Sequence, residues 1–155
     1  MNSENPKQTI GFLLHDIARL MRRNFDRRAH DLGLTRAQWQ VLAHLARHEG
    51  ISQAALAEIL EVEPITLTRQ IDRLEGAELV ERRANPDDRR AHRLYVTPKA
   101  RPVLARMWVL GAETREEAMA GLTAEQREQL IESLLAIRAN LSAHEAPAQL
   151  ERSEA

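Results

Sequence analysis

Apolar positions recur along this chain at two different periods. Across residues 9–30, Ile10, Leu14, Ile17, Met21 and Phe25 are spaced by 4, 3, 4 and 4, with Leu13 and Leu20 widening the stripe. That spacing predicts an amphipathic helix, closed by Leu32-Gly33-Leu34. Thr35-Arg36-Ala37-Gln38 reads as a capping box, in which a Thr hydroxyl and a Gln amide satisfy each other's first-turn donors. It opens a second helix with Trp39, Val41, Leu42 and Leu45, stopping at Gly50. Ser52 is the next N-cap, before a short helix with Leu56, Ala57 and Leu60 inward. Pro64 then starts a helix reaching residue 75, with Leu67, Ile71 and Leu74 on one face, because proline at a first helical position sacrifices no hydrogen bond.

The period then changes. Leu79-Val80-Glu81-Arg82-Arg83 and Arg93-Leu94-Tyr95-Val96-Thr97 predict two short strands. Residues 84–92 between them hold the turn signal Asn85-Pro86-Asp87-Asp88, so a hairpin with a long, arginine-bearing tip is expected. A long helix follows from Pro98 to about Gly121, and a capping box at Thr123-Ala124-Glu125-Gln126 opens a last helix with Leu130, Leu134, Ile137 and Leu141. The expected fold is mainly α with a small β-wing: a winged helix-turn-helix plus N- and C-terminal dimerisation helices.

Composition narrows what such a fold does. The chain has 155 residues, enough for one domain and a core, and it lacks cysteine, which excludes disulfides, thiolate metal sites and thiol chemistry. Aromatics are 3%, too few for stacking on single-stranded nucleic acid. No apolar run nears a membrane span, and the polar start lacks a signal-like core, so a cytoplasmic protein without membrane contact is expected. The formal charge of −1 hides an uneven distribution: residues 82–93 carry +3, whereas residues 113–155 carry −5. Twenty of the 22 basic residues are arginine, whose planar fork suits phosphates and base edges.

Opposite the apolar face of the 64–75 helix lie Ile65, Thr66, Arg69 and Arg73, with Thr68 on the flank. These side chains suit a DNA major groove: arginine forks onto guanine, and an exposed Ile65 meets a thymine methyl. Asp88, Arg89 and Arg90 stand where a wing leans on a minor groove, which attracts arginine. Asp88 is expected to orient an adjacent arginine by a charge-assisted hydrogen bond. His44 and His48 share a helix face, with Glu49 or His15 as further donors, but no adjoining Cys or HExxH glutamate completes a set, and no metal or other cofactor is expected. No nucleophile constellation or phosphate loop points to an enzyme.

From Trp39 to Arg101 the sequence resembles the MarR family of bacterial winged-helix regulators, most closely its SlyA-like branch. The resemblance rests on Leu34-Thr35-Arg36-Ala37-Gln38-Trp39, Leu56-Ala57, Leu67-Thr68-Arg69-Gln70-Ile71-Asp72-Arg73-Leu74-Glu75, Leu79-Val80-Glu81-Arg82, Asp87-Asp88-Arg89-Arg90-Ala91 and Val96-Thr97-Pro98-Lys99-Ala100. It implies a homodimer on double-stranded palindromic operators, nucleoid-associated when bound, usually a repressor relieved by a small aromatic carboxylate or phenolic ligand. Carried over by position, Thr66, Thr68 and Arg69 read the major groove and Arg89 the minor groove. The ligand crevice is expected between the first two helices and the start of the fifth, edged by His15, Arg19, Trp39 and Arg106. Two departures stand where the family often has glycine, Glu78 and Ala100. The implied organisation is a flexible start (1–8), a dimerisation helix (9–34), the DNA-binding unit (35–97), further dimerisation helices (98–145) and a flexible tail (146–155). The alternative is a protein-interaction module that sequesters a partner on the same scaffold.

Overall fold

The computed structural model describes residues 9–143; the segments 1–8 and 146–155 expected to be flexible lie outside them. The order is α1 (Ile10–Arg28), a 3-10 turn (Ala29–Leu32), α2 (Arg36–Arg47), α3 (Gln53–Leu60), α4 (Pro64–Gly76), β1 (Val80–Asn85), β2 (Asp88–Val96), α5 (Ala100–Ala118) and α6 (Ala124–Ser142). Residues up to Arg115 form one unit and those from Glu116 a second. Among the described residues no helix is long and apolar enough to cross a membrane.

Both expected capping boxes form. Thr35 accepts the Gln38 amide while the Gln38 side chain accepts the Thr35 amide, and Thr123 and Gln126 do the same for α6. Ser52 accepts the Ala55 amide and starts α3. α1 tightens into the 3-10 turn after Arg28 and ends at Gly33, whose φ of 69° lies in the left-handed region that glycine enters without steric cost.

The core of the first unit gathers Val41, Leu42 and Leu45 of α2, Leu56 and Ala57 of α3, and Leu67, Ile71 and Leu74 of α4. Leu94 and Val96 of β2 and Leu104, Met107 and Leu110 of α5 complete it. The apolar stripe of α1 is different. Phe25 is buried, but Ile10, Leu13, Leu14, Ile17 and Leu20 are exposed within the single chain. In the second unit α6 buries none of its residues.

The hairpin departs from expectation. Its strands run to Asn85 and from Asp88, so the tip is the two residues Pro86 and Asp87 rather than a long loop. The pairing runs from Val80 opposite Val96 to Ala84 opposite His92, then jumps to Asn85 opposite Asp88. Arg89, Arg90 and Ala91 therefore bulge from β2 without counterparts on β1. Hydrophobic alternation could not announce these paired residues, because the outer half of the hairpin is held by backbone bonds with its side chains in water. At its base β2 is paired on its other side too: Gly50 donates to the Leu94 carbonyl at 2.8 Å, and Leu94 to that of Ile51 at 3.0 Å.

Glu78, in the turn from α4 to β1, has a φ of 60°, which explains why glycine suits this position. Its carboxylate accepts the Lys99 ammonium at 2.9 Å, an exposed ion pair that offsets little of the backbone strain. Glu78→Gly is expected to raise the melting temperature by a few degrees in a thermal scan; an unchanged or lower value contradicts strain at this turn.

Candidate functional site

Burial of Leu67, Ile71 and Leu74, each at most 1% exposed, turns the opposite face of α4 outward. Ile65, Thr66, Arg69 and Arg73 are all exposed there, Ile65 by 63%. Glu63 makes no side-chain cap, so the first-turn amides of α4 are left without a side-chain acceptor. Among the described residues neither Arg69 nor Arg73 has a carboxylate partner. The same holds for Arg89 and Arg90, exposed on the bulge of β2.

Other arginines of the basic stretch are committed. Arg82 reaches Asp72 Oδ1 at 2.7 Å and Glu75 Oε1 at 3.0 Å, and its side chain is 16% exposed. Arg83 holds Glu81 and lies 4.0 Å over the Tyr95 ring; donation to the Glu81 carboxylate raises its pKa. Sequence counted these arginines alike, yet the protein separates clamps from unpartnered cations.

Two further placements differ from expectation. Asp88 does not hold an arginine side chain: its Oδ1 accepts the backbone N–H of Arg90 at 2.9 Å and so shapes the bulge. A side chain this short reaches a backbone amide two residues on more readily than a guanidinium whose stem leads away. Thr68 is half-buried, and its hydroxyl donates to the Pro64 carbonyl at 2.9 Å while accepting from Gln53 Nε2 at 2.6 Å.

A separate cavity of about 210 Å³ lies between α1, α2 and the middle of α5, lined by Phe25, Trp39, His44, Arg47, Trp108 and Arg115 among others. Trp39 is the one expected ligand residue brought there. His15 and Arg19 lie well up α1 from Phe25, and at 1.5 Å of rise per residue His15 is about 15 Å away along the axis. Arg19 pairs instead with Asp16 at 3.6 Å, and Arg106 is exposed on α5 outside the lining. The cationic residues at the cavity are Arg47, which lies 5.7 Å from the Trp108 ring centroid, and Arg115. Trp39 is fixed by its indole N–H donating to Asp26 at 2.7 Å, a carboxylate that also holds Arg36.

Among the described residues no cluster of three metal-ligating side chains occurs. The His48 ring faces the His44 carbonyl at 2.9 Å, and Glu49 accepts the Val96 amide at 3.1 Å and pairs with Arg101.

Three helices with an outward, arginine-bearing fourth and an arginine-tipped wing define a winged helix-turn-helix that binds DNA. The MarR family profile matches residues 34–92. Among solved structures, the transcriptional regulator PA3341 is 39% identical with a TM-score of 0.76, over 87% of this chain and 99% of that one. Wild-type MarR from E. coli is 28% identical with a TM-score of 0.75, over 83% and 96%. The transcriptional regulator SlyA is 27% identical with a TM-score of 0.71, over 84% and 92%. This chain belongs to the MarR family of DNA-binding transcriptional regulators.

His44 in the cavity wall has its pKa lowered, first by burial and then by the nearby charges of Arg47 and His48. The unfolded chain takes up this proton near pH 6.5, whereas the folded protein does so only at lower pH. The unfolded state therefore binds more protons in that window, and stability falls as pH drops below about 6.5. His44→Gln is expected to flatten the decline in melting temperature between about pH 7 and 5.5; an unchanged slope contradicts a half-buried imidazole whose charging is disfavoured in the fold.

Proposed function

We propose that this regulator is a homodimeric repressor of a palindromic operator, relieved by a small aromatic or anionic ligand. The observation that carries the DNA reading is the division of the arginines. Arg69, Arg73, Arg89 and Arg90 have no carboxylate partner among the described residues, while Arg82 beside them is fully engaged. Unpaired guanidinium groups on one helix and one wing suit a polyanion, and an acidic or apolar face would have suited a sequestered protein partner instead. In this reading Ile65, Thr66, Arg69 and Arg73 meet the major groove, Thr68 supports that face from its flank through its bonds to Pro64 and Gln53, and Asp88, Arg89 and Arg90 form the wing that meets the minor groove. The resemblance of the chain to transcriptional regulators over most of its length agrees with that division of labour.

The DNA-binding unit spans residues 35–97, and segments 9–34 and 98–145 serve dimerisation. Support for the second copy comes from surplus apolar surface: Ile10, Phe12, Leu13, Ile17 and Leu20 on α1, and Leu130, Ile131, Leu135 and Leu141 on α6, are each more than 40% exposed. A soluble monomer rarely leaves that much apolar surface in stripes, and two-fold dimers present two reading heads to a palindrome. The ligand reading rests on the cavity at Trp39, whose volume equals about seven waters. Phe25, Trp39 and Trp108 supply aromatic walls, and Arg47 and Arg115 face an anion.

Selection of bound fragments from genomic DNA, with and without a salicylate-class anion, tests the whole reading: enrichment of a palindrome weakened by the anion supports it. Arg69 and Arg89 should then fail differently. Arg69→Ala is expected to lose about 1–3 kcal/mol per half-site and relax preference at one base pair. Arg89→Ala is expected to weaken binding and lower the salt slope with base preference largely kept. Titration against salt and against single-base operator changes separates them; uniform loss for Arg69→Ala reduces that residue to a phosphate contact. Sedimentation is expected to give a dimer at micromolar concentration, and a monomer that still binds DNA contradicts the symmetric arrangement.

A further inference from the structure

We infer that Gln53 and Arg82, which touch no base in this reading, set the sequence preference of α4 from behind by holding Thr68 and the helix in register with the wing. The inference rests on α4 being the DNA-reading helix.

Thr68 has one hydroxyl proton, and the Pro64 carbonyl takes it at 2.9 Å. The same oxygen accepts from Gln53 Nε2 at 2.6 Å. Thr68 is thus left without a donor for a base, and its hydroxyl is a fastening point between the first turn of α4 and the first residue of α3. Gln53 is itself oriented: its Oε1 accepts Arg82 Nε at 3.5 Å, which leaves Nε2 turned to Thr68. The other two guanidinium nitrogens of Arg82 divide between Asp72 and Glu75, one turn apart on α4, at 2.7 and 3.0 Å. The Arg82 backbone N–H adds a bond to Glu75 Oε2 at 3.3 Å.

One β1 residue thus pins the C-terminal half of α4 directly and, through Gln53, its N-terminal turn. The arrangement opposes rotation of the helix about its own axis. Leu67, Ile71 and Leu74 hold the depth of α4 in the domain, but apolar packing is non-directional and tolerates small rotations better than hydrogen bonds do. Base-edge hydrogen bonds require correct angles, whereas phosphate contacts are forgiving. Loss of the hub should therefore fall on discrimination rather than on general DNA affinity.

The test pairs Gln53→Ala with Thr68→Val, which keeps the shape of Thr68 but removes its acceptor. Each is expected to lower the ratio of operator to random-duplex affinity about five- to tenfold, with the double variant no worse than either single one. The salt slope should stay unchanged, because no phosphate contact is lost, and Thr68→Ser should restore discrimination. If Gln53→Ala leaves the ratio intact, or weakens operator and random duplex equally, the positioning role is overturned. A second arm needs no DNA: in the unbound protein, the Thr68 methyl order parameter should fall in Gln53→Ala, and an unchanged value overturns the hub. Failure of the wild-type protein to bind any duplex would instead overturn the DNA-reading assignment, and the methyl measurement would still decide the hub.

Discussion

Everything on the exposed face of this domain depends on one dry stripe. Leu67, Ile71 and Leu74 are driven out of water against α2 and α3, a burial worth roughly 5–9 kcal/mol as an upper bound. Because the three are spaced by 4 and 3, their burial fixes which side chains face outward on α4. Proline at its start and the uncapped Glu63 leave the first turn open to a partner. Truncating Leu67 to alanine would cost about 2–5 kcal/mol and loosen the face along with the core.

Polar clamps refine what the apolar stripe sets coarsely. Arg82 joins the wing to α4, Asp26 joins α1 to α2 through Arg36 and Trp39, and Glu49 joins the end of α2 to Val96 and Arg101. In each case one carboxylate or guanidinium spans two elements, successive in the chain for Arg82 and Asp26 and distant in sequence for Glu49. Arg69 and Arg73 on α4 and Arg89 and Arg90 on the bulge of β2 have no carboxylate partner among the described residues, so a nearly neutral chain carries free positive charge on both elements of this face.

The helices were legible because their signals are local: Thr35 with Gln38, Thr123 with Gln126, Ser52, Pro64, and apolar spacings of three and four. The outward face of α4 followed from the same arithmetic. The wing was less legible, since Arg89, Arg90 and Ala91 form a bulge that no alternation encodes and Asp88 bonds a backbone amide rather than a side chain. Nor could sequence separate Arg82 from Arg89, because which arginine meets a carboxylate depends on strand register. Asp72 and Glu75 at i and i+3, facing a strand arginine, were the one available clue. Trp39 was legible as an aromatic wall and lines the cavity, whose cations are Arg47 and Arg115; these two carry no motif, because helix packing alone brings them together, while His15, Arg19 and Arg106 lie outside that lining.

The central claim is that α4 and the bulged wing together form the DNA-contacting face. Titration of the isotope-labelled protein with a selected duplex, followed by backbone amide NMR, tests it most directly. The account predicts that the largest shifts fall at residues 64–69 and 88–92, with α6 little changed. Perturbations centred elsewhere, with those two segments unmoved, would contradict it.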